Sequence, residues 1–306
     1  MIDYREKLKI LQLASDADNG NGVKVAVIDT GIPDIYGVPV SLAENFTNGS
    51  TNDTGHATFV GSILFGISKN IHGICPRATS CFCKVFNGRI ATPEIVANAI
   101  NYAADIWGVD IINLSLGFSS SIPCNDKLKK ACGAALNKGV VIVASAGNTG
   151  DKEILWPAAL PGVLCVGSSD GKTKEPFSNS GDVDVVAPGA DIAGLDTKGH
   201  VAVRSGTSFS AAIITGLLTL LLAKRRRSEK CALARDVKQE LIDLCVDINT
   251  KGWDADTGFG FPFPELVYKT FMQRVGLSAY SVFVIIKNTI KKVITLFKTK
   301  EAKKHE

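Results

Sequence analysis

Short, wholly apolar runs alternate along the chain with longer stretches in which apolar residues recur every three or four positions. Val23 to Asp29, Thr79 to Phe86, Asp110 to Gly117, Val140 to Ala144, Val163 to Gly167 and Val183 to Gly189 read as strands. They are apolar on both faces, as strands covered on both sides are. Pro93 to Trp107 reads as an amphipathic helix, with proline in its first turn and Gly108 just past its end. Lys127 to Lys138 is a second helix, closed by Gly139. Gly55 to Ile63 starts a third, rich in small residues. The longest apolar run, Phe209 to Ala223, has about fifteen residues, fewer than a membrane span needs, and predicts a core helix. Strands alternating with helices predict an α/β protein, a three-layer α/β/α arrangement on a mostly parallel sheet. Residues 1–22 read as a polar lead-in with one apolar patch, Leu8 to Leu13, and residues 32–55 as irregular.

Ser208 sits in Gly206-Thr207-Ser208, a turn that opens the longest apolar run. Unpaired N–H groups and the positive dipole end at a helix N-terminus favour a developing negative charge, which suits a nucleophilic serine. A capping serine on a core helix accounts for Ser208 equally well when it is taken alone. Asp29 ends the first apolar strand, where open α/β sheets place their sites, although a turn-forming aspartate fits there too. Of four histidines, at 56, 72, 200 and 305, only His56 lies at the start of a small-residue helix. Aspartate, histidine and serine in that chain order are one of the known solutions to a nucleophile–base–orienter triad.

These segments resemble those of subtilisin-like serine proteases (subtilases). Val25-Ala26-Val27-Ile28-Asp29-Thr30-Gly31 resembles the family's aspartate motif, and Gly55-His56-Ala57-Thr58-Phe59-Val60-Gly61 its histidine motif. Gly206-Thr207-Ser208-Phe209-Ser210-Ala211 resembles its serine motif, and Ala146-Gly147-Asn148 the segment with its oxyanion-hole asparagine. The resemblance implies a peptidase domain over residues 23–273. It implies Ser208 as nucleophile, His56 as general base and then acid, Asp29 as orienter, and Asn148 with the Ser208 N–H as oxyanion donors. It also implies that Ser115-Leu116-Gly117 and Ser145-Ala146-Gly147 flank a peptide substrate bound as an extended strand. A relative that kept the fold and lost the chemistry, acting as a binding scaffold, is the alternative; filled positions at Asp29, His56, Asn148 and Ser208 argue against it.

Departures from the family pattern add expectations. Ala57 and Phe59 replace a glycine and a histidine, and Ala212 replaces a proline. Leu155 falls near the base of the implied primary specificity pocket and predicts small or medium side chains there. The family often binds structural calcium. Here the loops at 32–37 and 67–73 look short and one carries Lys69, so calcium is not favoured, and the chemistry itself requires no cofactor. The similarity begins close to Met1 and leaves little room for an inhibitory propeptide, which suggests a dedicated processing role.

Net charge is +4, too mild to imply nucleic acid. Residues 276–306, with seven lysines against two acids, carry +5 and the rest of the chain −1, and Val282, Phe283, Ile286, Ile290, Val293, Ile294 and Phe297 recur at helical spacing. This basic amphipathic pattern suits a membrane surface, a protein partner, or packing back on the domain. Eight cysteines occur without a CxxC pair, and no secretory signal precedes them. They read as reduced thiols in a cytoplasm, with Cys124–Cys132 as the pair to form under oxidation.

Overall fold

A computed structural model describes residues 2–262 apart from Ile122 and residues 229–231. The end of the expected peptidase domain and the basic tail at 276–306 lie outside the described residues.

The chain opens with β1 (Ile2–Asp3), α1 (Tyr4–Lys7) and α2 (Leu11–Asp16), then enters β2 (Lys24–Asp29) and β3 (Leu42–Asn45). Next come α3 (His56–Phe65), β4 (Ile71–His72), β5 (Thr79–Lys84), α4 (Pro93–Asp105), β6 (Ile111–Leu114), α5 (Asp126–Asn137) and β7 (Val141–Ser145). Then follow β8 (Leu164–Ser168), β9 (Val185–Ala187), β10 (Ile192–Leu195), β11 (Val201–Arg204), α6 (Thr207–Ser228) and α7 (Ala234–Asp243).

Seven strands form one sheet in the order β3-β5-β2-β6-β7-β8-β9, every pairing parallel. Strands β2, β6, β7, β8 and β9 are apolar on both faces because helices cover both. Helices α3 and α6 pack together, with α6 lying over β6 to β9, while α4 and α5 pair against β2 and β7. This is the three-layer α/β/α fold that the alternation predicts. The chain first builds outward from β2 through β5 to β3, then returns to β6 on β2's other side. The order therefore reverses between β2 and β6, and the crevice beyond their C-terminal ends is where such sheets hold ligands.

Helix α6 spans 22 residues, longer than its apolar run, and by length and composition alone it is long enough to cross a membrane. Its residues from Thr207 to Ala223 are buried, so it is the core helix, and Arg225, Arg226 and Arg227 sit in its last turn, where the dipole favours cations. Arg226 is anchored there by a two-pronged pair with Asp110, at 2.9 and 2.6 Å.

The structure revises the lead-in. Residues 2–22 are folded onto the domain. Tyr4 and Leu8 are buried, β1 pairs with β4, and the Tyr4 hydroxyl donates to the Ala193 carbonyl. One polar face hides the buried stripe of Tyr4, Leu8, Ala14 and Ala17, which the overall polarity of the segment masks. Two further differences concern strands. Strand β3 lies within residues 32–55, and β10 with β11 forms an antiparallel hairpin. The seven described cysteines, Cys124 and Cys132 among them, are free thiols.

Candidate active site

Every sequence-predicted site residue lies at the C-terminal end of the sheet. Asp29 ends β2, Ser115-Leu116-Gly117 follow β6, and Ser145 ends β7 with Ala146, Gly147 and Asn148 in the turn beyond it. His56 is the first residue of α3 and Ser208 the second of α6. Parallel strands leave their chain ends on one side, and helix N-termini return to the same side, so five separate segments converge.

Asp29 is 1% exposed, and its two oxygens lie 2.8 and 3.0 Å from His56 Nδ1. A carboxylate accepts, so Nδ1 carries the proton and Nε2 is the basic nitrogen. Burial opposes charge on the ring, yet the Asp29 carboxylate, aided by Asp53 and opposed by Arg204, holds the His56 pKa above its ordinary 6.5. The ring lies against Phe209, with centroids 5.8 Å apart. Phe59 stands where the resemblance would place a second histidine. It is fully buried, 4.7 Å from the Phe209 ring centroid, with the Arg204 guanidinium 5.0 Å from its own. Arg204 also donates to the Gly55 carbonyl at 3.1 Å, which ties β11 to the start of α3.

Ser208 is 8% exposed. Its Oγ donates to the Ser115 carbonyl at 3.3 Å, and Ser115 Oγ donates back to the Ser208 carbonyl at 2.8 Å. Asn113 Nδ2 donates to Ser115 Oγ at 2.9 Å, and Thr215 Oγ1 donates to Asn113 Oδ1 at 3.0 Å. This buried chain fastens α6 to the end of β6. The Ser115 side chain is thereby held inside.

Asn148 Oδ1 accepts from Thr207 N at 2.8 Å and from Thr207 Oγ1 at 3.0 Å. A backbone N–H only donates, so the oxygen must face Thr207 and the NH₂ group must point the other way. Thr207 Oγ1 also accepts from Gly147 N at 3.3 Å, and the Gly147 carbonyl, at 3.2 Å, competes with Asn148 for its one proton.

Asp53 was not singled out from the sequence. An aspartate three residues before a helix start reads as a cap, which it partly is: Oδ2 accepts from Thr58 N at 2.6 Å. Its other oxygen accepts from Thr30 Oγ1 at 2.5 Å, and Thr30 Oγ1 accepts from Ala57 N at 3.1 Å. Asp53 thus joins the residue after Asp29 to the second residue after His56, and Thr30 itself holds the first. Burial would push its pKa up, but the hydrogen bonds from Thr30, Thr58 and Gly55 hold it below the usual range. Lys84, buried beneath, donates to the carbonyls of Thr30 at 2.6 Å and Asn52 at 3.0 Å.

Leu155 fills the gap between the two edges. A Cβ placed on Gly117 would meet Leu155 Cβ at 2.7 Å, and one on Gly147 would meet Leu155 Cγ at 3.1 Å. The loops considered for calcium offer Asp34 as their only carboxylate, at 32–37, and none at 67–73. Among the described residues no group of three His, Cys, Asp or Glu gathers. Calcium prefers several anionic oxygens, of which these two loops supply one carboxylate.

Comparison with known proteins settles the family. Residues 20–260 match the model of the subtilase family. The chain belongs to the subtilase family of serine proteases. It is similar to thermitase of Thermoactinomyces vulgaris, with 36% identity covering 72% of this subtilase and 82% of the relative. It is also similar to the major intracellular serine protease of Bacillus subtilis, with 32% identity covering 82% and 85%. Among solved structures, the prenylagaramide maturation protease PagA superposes on the subtilase with a TM-score of 0.74 at 30% identity, covering 85% of this chain and 97% of that one. The patellamide maturation protease PatA gives 0.71 at 28% identity, covering 84% and 98%.

Proposed function

We propose that this subtilase is an endopeptidase working through an Asp29–His56–Ser208 triad and an acyl-enzyme. The observation that carries the reading is the paired hydrogen bond from His56 Nδ1 to Asp29, which fixes the tautomer that leaves Nε2 as a base. An extended substrate pairs its main chain with the edges at Ser115–Gly117 and Ser145–Gly147. It competes with Ser208 for the Ser115 carbonyl, and rotation about χ1 then brings Oγ to His56. Catalytic hydrogen bonds are commonly loose in the free enzyme and tighten on binding. Ser208 Oγ bonds to the scissile carbon as its proton passes to Nε2. That proton moves to the leaving amine as the C–N bond breaks, and water repeats the sequence on the ester. The Asn148 amide and the Ser208 N–H receive the oxyanion. Loss of one such donor at a site of this kind costs about 10²–10³ in turnover.

The named solved relatives mature peptides, which supports a dedicated processing role over general digestion. The test is fluorophosphonate labelling of the full chain with Ser208→Ala as control, followed by peptide-library cleavage. Labelling confined to the wild type is expected. Folded wild-type protein that neither labels nor cleaves would overturn the reading and favour the scaffold.

A further inference from the structure

A hollow of about 280 Å³ opens beside His56, walled by Thr30, Phe86, Gly88 and Arg89 and by the edge at Ser115–Gly117. Arg89 is the one fixed cation among its lining residues, and Asp29 the one carboxylate. Asp29 is 1% exposed and gives both oxygens to His56, so its charge is already answered. Arg89 is exposed and makes no ion pair or hydrogen bond with the described residues. Its backbone is held in a tight turn, in which Asn87 N donates to Ile90 O at 2.8 Å and Ile90 N to Asn87 O at 3.2 Å. Gly88, at φ +61°, takes the left-handed position in that turn and leaves open space around it. The turn therefore presents an unanswered guanidinium to the hollow from a fixed place.

The hollow's occupant follows from strand geometry and rests on the endopeptidase reading. Side chains of an extended peptide alternate between two faces. The side chain at the cleaved residue enters the gap between the two edges, toward Leu155. The one immediately upstream then points the other way, to the His56 side. We propose that this hollow receives that upstream side chain and that Arg89 makes it select an acidic one, so that the substrates are peptides with Asp or Glu next to the residue at which they are cut. A guanidinium matches a carboxylate with two parallel donors, which favours Glu over its neutral isostere Gln.

The pair is open to water and salt, so its effect is that of a screened ion pair, roughly two- to fivefold between Glu and Gln, and larger between Glu and Lys, where repulsion adds. The experiment uses the full chain and three peptides identical except for Glu, Gln or Lys at that position, and reads kcat/KM ratios within each enzyme. The wild type is expected to favour Glu over Lys about tenfold, with the ratio shrinking at high salt. Arg89→Glu is expected to invert it. A ratio within one enzyme does not depend on how much of the variant folds. Equal cleavage of the Glu and Lys peptides by the wild type, or an unchanged ratio in Arg89→Glu, would overturn the proposal while leaving the endopeptidase reading intact. No cleavage of any peptide, with no labelling of Ser208, would overturn both.

Discussion

Asp53 reaches His56 by two routes: its charge favours imidazolium, and its hydrogen bonds to Thr30 and Thr58 brace the strand end and helix start that carry Asp29 and His56. Asp53→Asn keeps the shape but removes the charge and leaves only one of the two oxygens that accept from Thr30 and Thr58. A charged hydrogen bond is worth about 1 kcal/mol more than a neutral one, so kcat/KM should fall roughly fivefold. The pH profile separates the routes. The base must be neutral to act, and its pKa lies above 6.5, so kcat/KM should rise with pH through an inflection above that value. In Asp53→Asn the inflection should move down, since one charge that favours imidazolium is gone while Arg204 still opposes it. A pH–rate series on both proteins checks this, and an unmoved inflection would leave Asp53 a purely structural role. The same raised pKa bears on folding. The pairing of His56 adds stability below its unfolded value of about 6.5, and that share is lost as pH rises through the higher folded value. Leu155 sets the other residue-scale expectation. Profiling the cleaved position should give Gly, Ala and other small or medium side chains for the wild type. Leu155→Gly should extend the profile to Phe and Tyr; a wild-type profile led by Arg, Phe or Tyr would remove Leu155 from this role.

At the scale of elements, α6 carries the load. A Cβ at Gly216 would lie 2.7 Å from Ile74 Cγ2 and 2.8 Å from its Cβ. Alanine in a helix gains up to about 1 kcal/mol over glycine, whereas overpacking a core costs about 1–3. Ile74 is fully buried and has no room to yield, so the clash should win. Gly216→Ala is expected to lower unfolding free energy by about 1–2 kcal/mol in urea titration, and a gain in stability would show that Ile74 can move aside. What the sequence discloses about elements follows from how each is buried. Strands β2, β6 and β7 show themselves because both faces are covered and only apolar residues fit. Strand β11 alternates exposed and half-buried positions, with Val201 and Val203 facing water, and β3 begins with exposed Leu42 and Ala43. Neither buries enough to mark itself against loop-like surroundings. Helix α7 buries only Ala234, Val237 and Leu241, too sparse a stripe to stand out. The candidate site residues could be picked out because each sits in a short contiguous motif at a strand or helix end. The ties between Thr207 and Asn148, and between Asp53 and Thr30, join positions far apart in the chain, and nothing local announces them.

Across the whole molecule, the first twenty residues close the fold. Tyr4 is fully buried, and burial pushes its phenol pKa up, so the hydroxyl stays a donor to the Ala193 carbonyl. Tyr4→Phe would leave that buried carbonyl without its partner, a loss of about 1–3 kcal/mol, read as a lower denaturation midpoint. Because the arm lies apart from the triad in every contact described, kcat below the transition should be unchanged; a fall in kcat with unchanged stability would contradict this division of labour.

Thr207 stands immediately before Ser208 and grips Asn148 through both its backbone N–H and its hydroxyl. The turn after β7 and the start of α6 are therefore tied directly to each other, one residue away from Ser208. A cleft built in this way can breathe to admit a chain without blurring the alignment on which its chemistry depends.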